Sequence, residues 1–294
     1  MTGASYSPMA PHQAGKVTPM DDVRIAAVCM NCIIGDPVRN LDKTEAIVQE
    51  AAGDGADFIC FPELSVTGYI QEAPEMIYSL EVMHTLLDRL VSTAKKHRVV
   101  LMAGLIEVSN SGKPYITHMV AAPDGVIGRY RKTHLGPTEQ TLYRPGDAID
   151  VFAIGKTTFG VQLCYEGHFP EISTQMALKG ADILFIPHAS PRGEPEEKLK
   201  SWMRHLPARA FDNGVFVVAC NQVGNAGSLN FPGVAVVFGP DGHMCSKYIG
   251  KEEHILYVDL REQHLQNVRT HRMRYFLPER RPSLYDKESG GEDQ

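Results

Sequence analysis

Residues 160–171, GVQLCYEGHFPE, place one cysteine at the end of an apolar run and directly before a group of polar residues. The apolar run 159–164 predicts a buried strand, and residues 167–170 predict a turn into a helix. Cys164 would then lie at a strand-to-helix corner, where backbone N–H groups at the helix start can stabilise a thiolate or an oxyanion. A buried core cysteine is the simpler interpretation of any single cysteine, so a nucleophile requires a base and a cation nearby.

Two charged residues hold the same position at the ends of other predicted strands. Glu63 directly follows the apolar strand DFICFP, and Lys132, in GRYRKTHL, ends the strand after the first Pro-Asp-Gly turn. Taken singly, Glu63 reads as a loop acid or a helix cap, and Lys132 as part of a solvated basic face. A cysteine with an unperturbed pKa of about 8.5 is mostly protonated at neutral pH, so it needs a carboxylate base or a neighbouring ammonium to attack carbon.

Three motifs contain these residues: FPELSVTGY includes Glu63, YRKTHL includes Lys132, and CYEGHFPE begins at Cys164. Supporting motifs are YRPGD at 143–147, HAS at 188–190 and ARAFDNGVFVVACNQVG at 208–224. Together they resemble the nitrilase superfamily, the carbon-nitrogen hydrolases with a Glu-Lys-Cys triad, whose ARAxEN segment has glutamate where this chain has Asp212. The resemblance covers nearly the whole chain, from about residue 23 to about residue 260.

The resemblance implies a role for each of these residues. Glu63 would be the general base, Cys164 the nucleophile and Lys132 the cation that stabilises a tetrahedral oxyanion. Glu139, seven residues after Lys132, matches a second acid that positions the substrate and supports the lysine. The backbone N–H of Tyr165 is the natural second oxyanion donor. The implied reaction passes through a thioester on Cys164, which water hydrolyses, and it requires no metal or organic cofactor.

The implied function is a thiol-dependent hydrolase of non-peptide C–N bonds in a small linear amide or N-carbamoyl compound, with release of ammonia or an amine. Tyr165 stands where true nitrilases usually carry tryptophan, which disfavours a nitrile substrate. His168 stands where many amidases carry arginine, which argues against α-carboxylate recognition at that position, although Arg192 or Arg204 could supply a substitute charge. The alternatives are a nitrile hydrolase and a non-catalytic binding protein that kept the fold.

We expect further residues to line the substrate pocket: Tyr69, His168, His188, Ser190 and Asn221. Each of them could instead contribute to packing or to loop polarity. A metal-dependent hydrolase would need clustered ligands such as HxH or HExxH, and neither pattern occurs. Cys29 and Cys32 have CxxC spacing but no second pair at zinc spacing, so we expect no metal site.

Short apolar, β-branched segments alternate with helical patterns along the chain, which predicts an α/β fold. Pro-Asp-Gly at 123–125 and at 240–242 predicts two hairpins, so antiparallel pairs mix with crossovers. Asn40 is placed to cap a first helix that ends near Gly53, and apolar residues at helical spacing predict a second helix over 80–94. The resemblance implies a four-layer α-β-β-α sandwich of two stacked mixed sheets.

Composition and charge limit the partners. The formal net charge of −6 gives no basic surface for nucleic acid, and no apolar run is long enough to span a membrane. The first twenty residues lack the apolar core of a secretory signal, so we expect a cytoplasmic protein with reduced cysteines. We divide the chain into a flexible tail (1–21), a carbon-nitrogen hydrolase domain (22–260) and a C-terminal arm (261–294). The resemblance implies a small-molecule enzyme that forms a homodimer or higher homo-oligomer, with the arm at the subunit interface.

Overall fold

Two six-stranded sheets form the centre of the protein, in a computed structural model that describes residues 19–70, 79–109, 112–125 and 127–285. A short two-stranded hairpin, β10 with β11, lies apart from them. The strands are β1 Val23–Cys29, β2 Phe58–Cys60, β3 Val100–Glu107, β4 Tyr115–Ala121, β5 Ile127–Arg131, β6 Val151–Ile154, β7 Thr157–Val161, β8 Ile183–His188, β9 Phe216–Asn221, β10 Gly224–Ala226, β11 Leu229–Phe231, β12 Gly233–Phe238, β13 Met244–Gly250 and β14 His254–Leu260.

Both sheets are mixed, and they follow the same order of strand directions. The first sheet runs β14-β1-β2-β3-β4-β5, and the second runs β6-β7-β8-β9-β12-β13. Read in these orders, each sheet has one antiparallel pair, then two parallel pairs, then two antiparallel pairs. Parallel neighbours end at the same edge of their sheet, so the residues that follow β2 and β7 each lie at such an edge.

Helices cover the outer faces of the two sheets and complete four layers. Along β1, Ile25 and Ala27 pack into the core between the sheets, whereas Ala26 and Val28 pack into the core beneath the first two helices. This alternation is the consequence of strand pleating. The predicted four-layer α/β sandwich of two stacked mixed sheets is therefore confirmed. The helices are α1 Pro37–Gly53, α2 Leu80–His97, α3 Pro170–Leu178, α4 Pro195–Trp202, α5 Leu206–Asn213 and α6 Glu262–Arg269.

The first helix begins earlier than the sequence predicts. Its N-cap is Asp36, whose side chain accepts a hydrogen bond from the Arg39 N–H, so the prediction of Asn40 as the cap is wrong. Asn40 lies inside α1, fully buried, and its amide group binds the backbone of Ile33 and the carbonyl of Val66. Asn40 therefore connects the helix to the segment that follows Glu63. Its residue type is typical of a helix cap, but its contacts are tertiary.

Both Pro-Asp-Gly hairpins are confirmed. The first joins β4 to β5 and the second joins β12 to β13, each as an antiparallel pair. Gly125 has a φ of +89° and Gly242 a φ of +78°, a region that glycine adopts at little cost. The first hairpin matters most for the site, because β5 ends directly before Lys132.

The first described residues and helix α6 both contact the rest of the protein. Of the tail predicted over 1–21, residues 1–18 lie outside the described part, and Met20 is buried in the core. In the arm, Arg269 of α6 donates to Asp182 at 2.6 Å and to the carbonyl of Gly214 at 3.0 Å. These contacts are within one chain, and a place for the arm at a subunit interface stays a prediction. No helix among the described residues is both long and apolar enough to cross a bilayer.

Candidate active site

Cys164 opens a short 3₁₀ turn, Cys164–His168, that links β7 to α3. The strand ends at Val161, three residues before the cysteine, so the predicted strand over 159–164 is too long at its end, although the predicted corner is present. Cys164 has a φ of +45°, which is uncommon for a residue with a side chain and persists only where the surroundings hold it. The corner therefore presents the thiol in a fixed and strained conformation.

Lys132 lies between two carboxylates in the interior. Its Nζ donates to Oε1 of Glu63 at 2.8 Å and to Oε1 of Glu139 at 2.9 Å. Glu63, Lys132 and Glu139 are 1%, 1% and 5% exposed, so water does not screen these charges. Glu63 follows β2 and Lys132 follows β5 in the first sheet, whereas Cys164 follows β7 in the second. The sandwich brings together the acids, the lysine and the thiol that the sequence predicts.

The charges of this cluster shift the protonation of its members. Burial raises the pKa of Glu63 to about 7, with a further upward contribution from Glu139, despite the opposing effect of the Lys132 ammonium. Burial alone would lower the pKa of Lys132, but the two carboxylates outweigh it and the net shift is upward. Burial and the Glu63 charge raise the pKa of the Cys164 thiol, against the opposing effect of Lys132. The resting cysteine is thus a thiol, and a base is needed to ionise it.

Backbone amides hold the two carboxylates in place. The Ala189 N–H donates to Oε2 of Glu63 at 3.0 Å and also favours the ionised form of the nearby Cys164 sulfur. The Gly136 N–H donates to Oε2 of Glu139 at 2.7 Å. The side-chain amide of Gln222 donates to the Glu63 carbonyl at 2.8 Å. Both carboxylates therefore have their orientations fixed before any substrate binds.

Glu166 joins the lysine segment to the cysteine segment, a role that the sequence analysis missed. Its Oε2 accepts from the Leu163 N–H at 2.7 Å, one residue before Cys164. Its Oε1 accepts from the Thr133 N–H at 2.7 Å, the Thr133 hydroxyl at 2.6 Å and the Tyr130 hydroxyl at 2.9 Å. An acid two residues after Cys164 was visible in CYEG, but its partners Tyr130 and Thr133 come from the segment of the other sheet. Glu166 is a positioning residue that fixes the spacing of the two segments.

Of the predicted pocket residues, Tyr69 lies beside the charged cluster. It is buried, its ring lies edge-on to Phe231 at 6.4 Å, and burial together with the charges of Glu139 and Glu63 raises the pKa of its phenol. The Tyr69 hydroxyl also forms a hydrogen bond with Thr138. Tyr69 therefore lies near the two acids, and its place in a substrate pocket stays a prediction.

Two other predicted pocket residues are engaged with the protein itself. His188 is buried, its Nδ1 lies 2.7 Å from the Ile186 carbonyl, and its ring lies 4.2 Å from that of Trp202. Burial lowers its pKa well below the usual value, so the imidazole is neutral. The Asn221 amide donates to the carbonyls of Ser190 and Pro232 and accepts from the Ser190 N–H. Both of its hydrogens are used, so Asn221 orders the loop after β8.

His168 and the two arginines considered as a substitute charge all lie at the surface. His168 is exposed as a residue, and its ring lies 4.4 Å from that of His205. Partial desolvation of the imidazole, together with the charge of Arg209, lowers its pKa. Arg192 and Arg204 are both exposed. A second cation, besides Lys132, has a charge that interacts with Cys164: Lys198 on α4. Sequence reasoning missed Lys198, since nothing in PRGEPEEKLK distinguishes it from its neighbours.

Other observations bear on cofactors and on the oxyanion. The described residues contain no group of three or more His, Cys, Asp and Glu side chains arranged to hold a metal ion. All six cysteines are unpaired. Tyr165 is the second residue of the 3₁₀ turn, where the N–H groups of a first helical turn lack intrahelical acceptors as a rule. Its N–H as an oxyanion donor stays a prediction.

Known proteins are similar to this chain in sequence and in fold. Residues 24–270 match the family described as carbon-nitrogen hydrolase. The sequence is 31% identical over 271 residues to a nitrilase from Pyrococcus abyssi, covering 90% of this chain and 99% of that one. It is 31% identical over 239 residues to a 2-oxoglutaramate amidase from Bacillus subtilis, covering 80% of this chain and 89% of the relative.

A solved structure is similar over nearly its full length. It is an amidase from Nesterenkonia sp. AN1 with the acetamide moiety of fluoroacetamide added covalently at the active-site cysteine. The TM-score is 0.79 at 28% identity, covering 92% of this chain and 98% of that one. This chain therefore shares the fold of that amidase over most of its length.

Proposed function

Because the chain belongs to the carbon-nitrogen hydrolase family, we propose that it hydrolyses a small linear amide or N-carbamoyl compound through a thioester on Cys164. One observation carries the proposal: the Lys132 ammonium lies between the buried carboxylates of Glu63 and Glu139, and its charge interacts with the thiol. A protein that only binds has no need for three buried charges beside a cysteine, because burying charges is costly. This disfavours the non-catalytic alternative.

In the first half of the proposed reaction, Cys164 attacks the amide carbon. Glu63 takes the thiol proton as the sulfur–carbon bond forms, and the negative charge moves to the substrate oxygen. The Lys132 ammonium and the Tyr165 N–H stabilise that oxyanion. When the tetrahedral species collapses, the carbon–nitrogen bond breaks, Glu63 gives its proton to the departing nitrogen, and ammonia or an amine leaves a thioester on Cys164.

In the second half, water replaces the departed amine. Glu63, again a carboxylate, takes a proton from water as the oxygen attacks the thioester carbon. The oxyanion forms at the same place, the sulfur–carbon bond breaks, and the proton returns to the thiol. The products are a carboxylic acid and the free enzyme, so one water is consumed in each turnover. An N-carbamoyl substrate would release carbon dioxide as well as ammonia.

The residue that follows Cys164 favours an amide over a nitrile as the substrate. Tyr165 occupies that position here, where nitrilases of the superfamily usually have tryptophan. A relative from Pyrococcus abyssi carries the name nitrilase, so nitriles belong among the test substrates. Amide-hydrolysing relatives support the amide.

Intact-protein mass spectrometry tests this function. We expect brief incubation with small amides, N-carbamoyl compounds and nitriles to give an acyl adduct on the wild-type protein for at least one amide or carbamoyl compound, with ammonia released in parallel. The adduct mass identifies the acyl group. Adducts from nitriles alone would replace the amidase with a nitrile hydrolase, and no adduct together with no ammonia would contradict the proposed hydrolase.

The pH dependence of kcat/KM reports on Glu63 in the free enzyme. With the pKa of Glu63 raised to about 7, the carboxylate base is lost as pH falls, so kcat/KM is expected to drop about tenfold per pH unit below about 7. Glu139→Gln removes a negative neighbour that raises the pKa of Glu63. The pH at which kcat/KM falls should therefore be lower in this variant, and the maximal kcat/KM should also be lower. A limb centred near the ordinary glutamate value, or one unmoved in Glu139→Gln, would contradict this assignment.

A further inference from the structure

Lys198 is a half-buried cation beside the proposed nucleophile. Its Nζ donates to the Ser190 hydroxyl at 2.7 Å and to the Pro191 carbonyl at 3.2 Å, and its charge interacts with Cys164. Among the described residues it forms no ion pair with a carboxylate. The loop that holds it begins at Ala189, whose N–H anchors Glu63. Lys198 is therefore fixed to the same loop that orients the base.

Two of the acids that precede Lys198 in sequence, Glu194 and Glu197, are engaged elsewhere. Glu194 forms an ion pair with Lys251 at 2.8 Å, and Oε2 of Glu197 accepts from the Glu194 N–H at 3.1 Å. Arg192 adds positive charge near Lys198 rather than neutralising it. A half-buried ammonium with only neutral oxygen partners costs free energy unless an anion completes its surroundings. The local charge thus favours a negatively charged ligand.

The hydrogen bonds described for the Lys198 ammonium use two of its three donors. A lysine ammonium has three donors, and two of them serve Ser190 and Pro191. The remaining donor can bind a carboxylate oxygen, and charge-assisted hydrogen bonds of this kind are stronger than neutral ones. Glu63 and Glu139 make the other side of the site negative, which would repel a carboxylate from the reacting position. A substrate with an amide and a separate carboxylate would fit both ends.

We propose that Lys198 is an anion subsite of this active site, and that the preferred substrate is an amide whose acyl chain ends in a carboxylate. This inference rests on the hydrolase function proposed above. It places substrate recognition on α4, and not at His168, Arg192 or Arg204. Lys200 on the same helix is exposed and serves as the matched control.

Paired substrates test the subsite. Glutaramate and valeramide share a chain length and differ in the terminal carboxylate, as do succinamate and butyramide. We expect the wild-type protein to favour the carboxylate member of each pair. Lys198→Met should lower kcat/KM for glutaramate at least about tenfold while changing valeramide less than about threefold, because only the former loses a charge-assisted contact. Lys198→Arg should retain most of the preference, and Lys200→Met should match the wild type.

The outcomes separate the subsite from the hydrolase. An equal loss for both members of a pair, or no loss for either, would overturn the subsite while leaving the hydrolase intact. If no amide is hydrolysed, calorimetry with glutarate decides. Glutarate binding to the wild type that Lys198→Met abolishes and Lys200→Met preserves would support the subsite and contradict the hydrolase. Absence of glutarate binding in that case would overturn the subsite as well.

Discussion

Cys164→Ala is expected to abolish ammonia release, with a loss of about 10⁴-fold or more, because no other described group is placed to form the thioester. The fold should be little affected. Alanine keeps the Cβ of cysteine at the same φ of +45°, so the backbone strain is unchanged, and only one partly buried sulfur is removed. The expected change in unfolding free energy is about 1 kcal/mol or less. Ammonia assays and thermal melts on the same preparations measure both quantities.

The matched control for this variant is Cys245→Ala. Cys245 lies on β13, is exposed, and is far from the proposed chemistry in the fold. It should keep wild-type turnover and melting behaviour. Undiminished turnover in Cys164→Ala would remove Cys164 from the mechanism, whereas an unfolded variant would show that the thiol is needed for packing. The double outcome of intact fold and lost activity is the one that the proposed mechanism requires.

Among the variants proposed here, Lys132→Met should lower the free energy of unfolding most. It should also abolish activity. Lysine and methionine have similar shapes, but the substitution leaves Glu63 and Glu139 buried without their cation. Removing one partner of a buried ion pair typically costs about 3–5 kcal/mol. Urea unfolding of the variant and the wild type measures the difference. Lys156→Met is the control, because Lys156 is 61% exposed and its pair with Asp21 contributes about 1 kcal/mol or less.

The pH dependence of that loss gives a second check. Without Lys132, the pKa of Glu63 rises further, because the Lys132 ammonium was the charge that opposed the effect of burial. The folded state then holds protons that the unfolded state releases above about 4.5, so stability falls as pH rises through that range and beyond. Lys132→Met should lie closest to the wild type in acid, and Glu63→Gln in the same chain should recover part of the loss near neutral pH. A gap that narrows with rising pH would contradict this account.

The residues proposed to carry the chemistry could be predicted because their motifs are local. FPELSVTGY, YRKTHL and CYEGHFPE each fix a residue type at the end of a strand, and the Pro-Asp-Gly turns fix two hairpins by backbone conformation alone. Local patterns of this kind determine where a side chain leaves a strand. The structure then places Glu63, Lys132, Glu139 and Cys164 together, as those positions predicted.

The residues that could not be predicted depend on contacts between distant segments. Asn40 has the sequence of a cap, but its partners at Ile33 and Val66 lie beyond the helix start. Glu166 binds Thr133 across the two sheets, and Lys198 is distinguished from Lys200 only by its burial. Asn221 was predicted to contact the substrate, but its side-chain amide donates both hydrogens to backbone carbonyls. The hydrophobic periodicity of a helix or strand predicts which of its faces is buried. It does not predict which distant residues that face contacts.

The origin of the cluster in two separate sheets has a consequence for biosynthesis. Glu63 and Lys132 follow β2 and β5 of the first sheet, and Cys164 follows β7 of the second. As the chain leaves the ribosome, Glu63 and Lys132 emerge before Cys164, and the Ala189 amide that orients the base emerges later still. A nascent chain therefore carries Cys164 before Glu63 and Lys132 lie beside it, and the proposed attack on an amide requires that the second sheet has docked on the first.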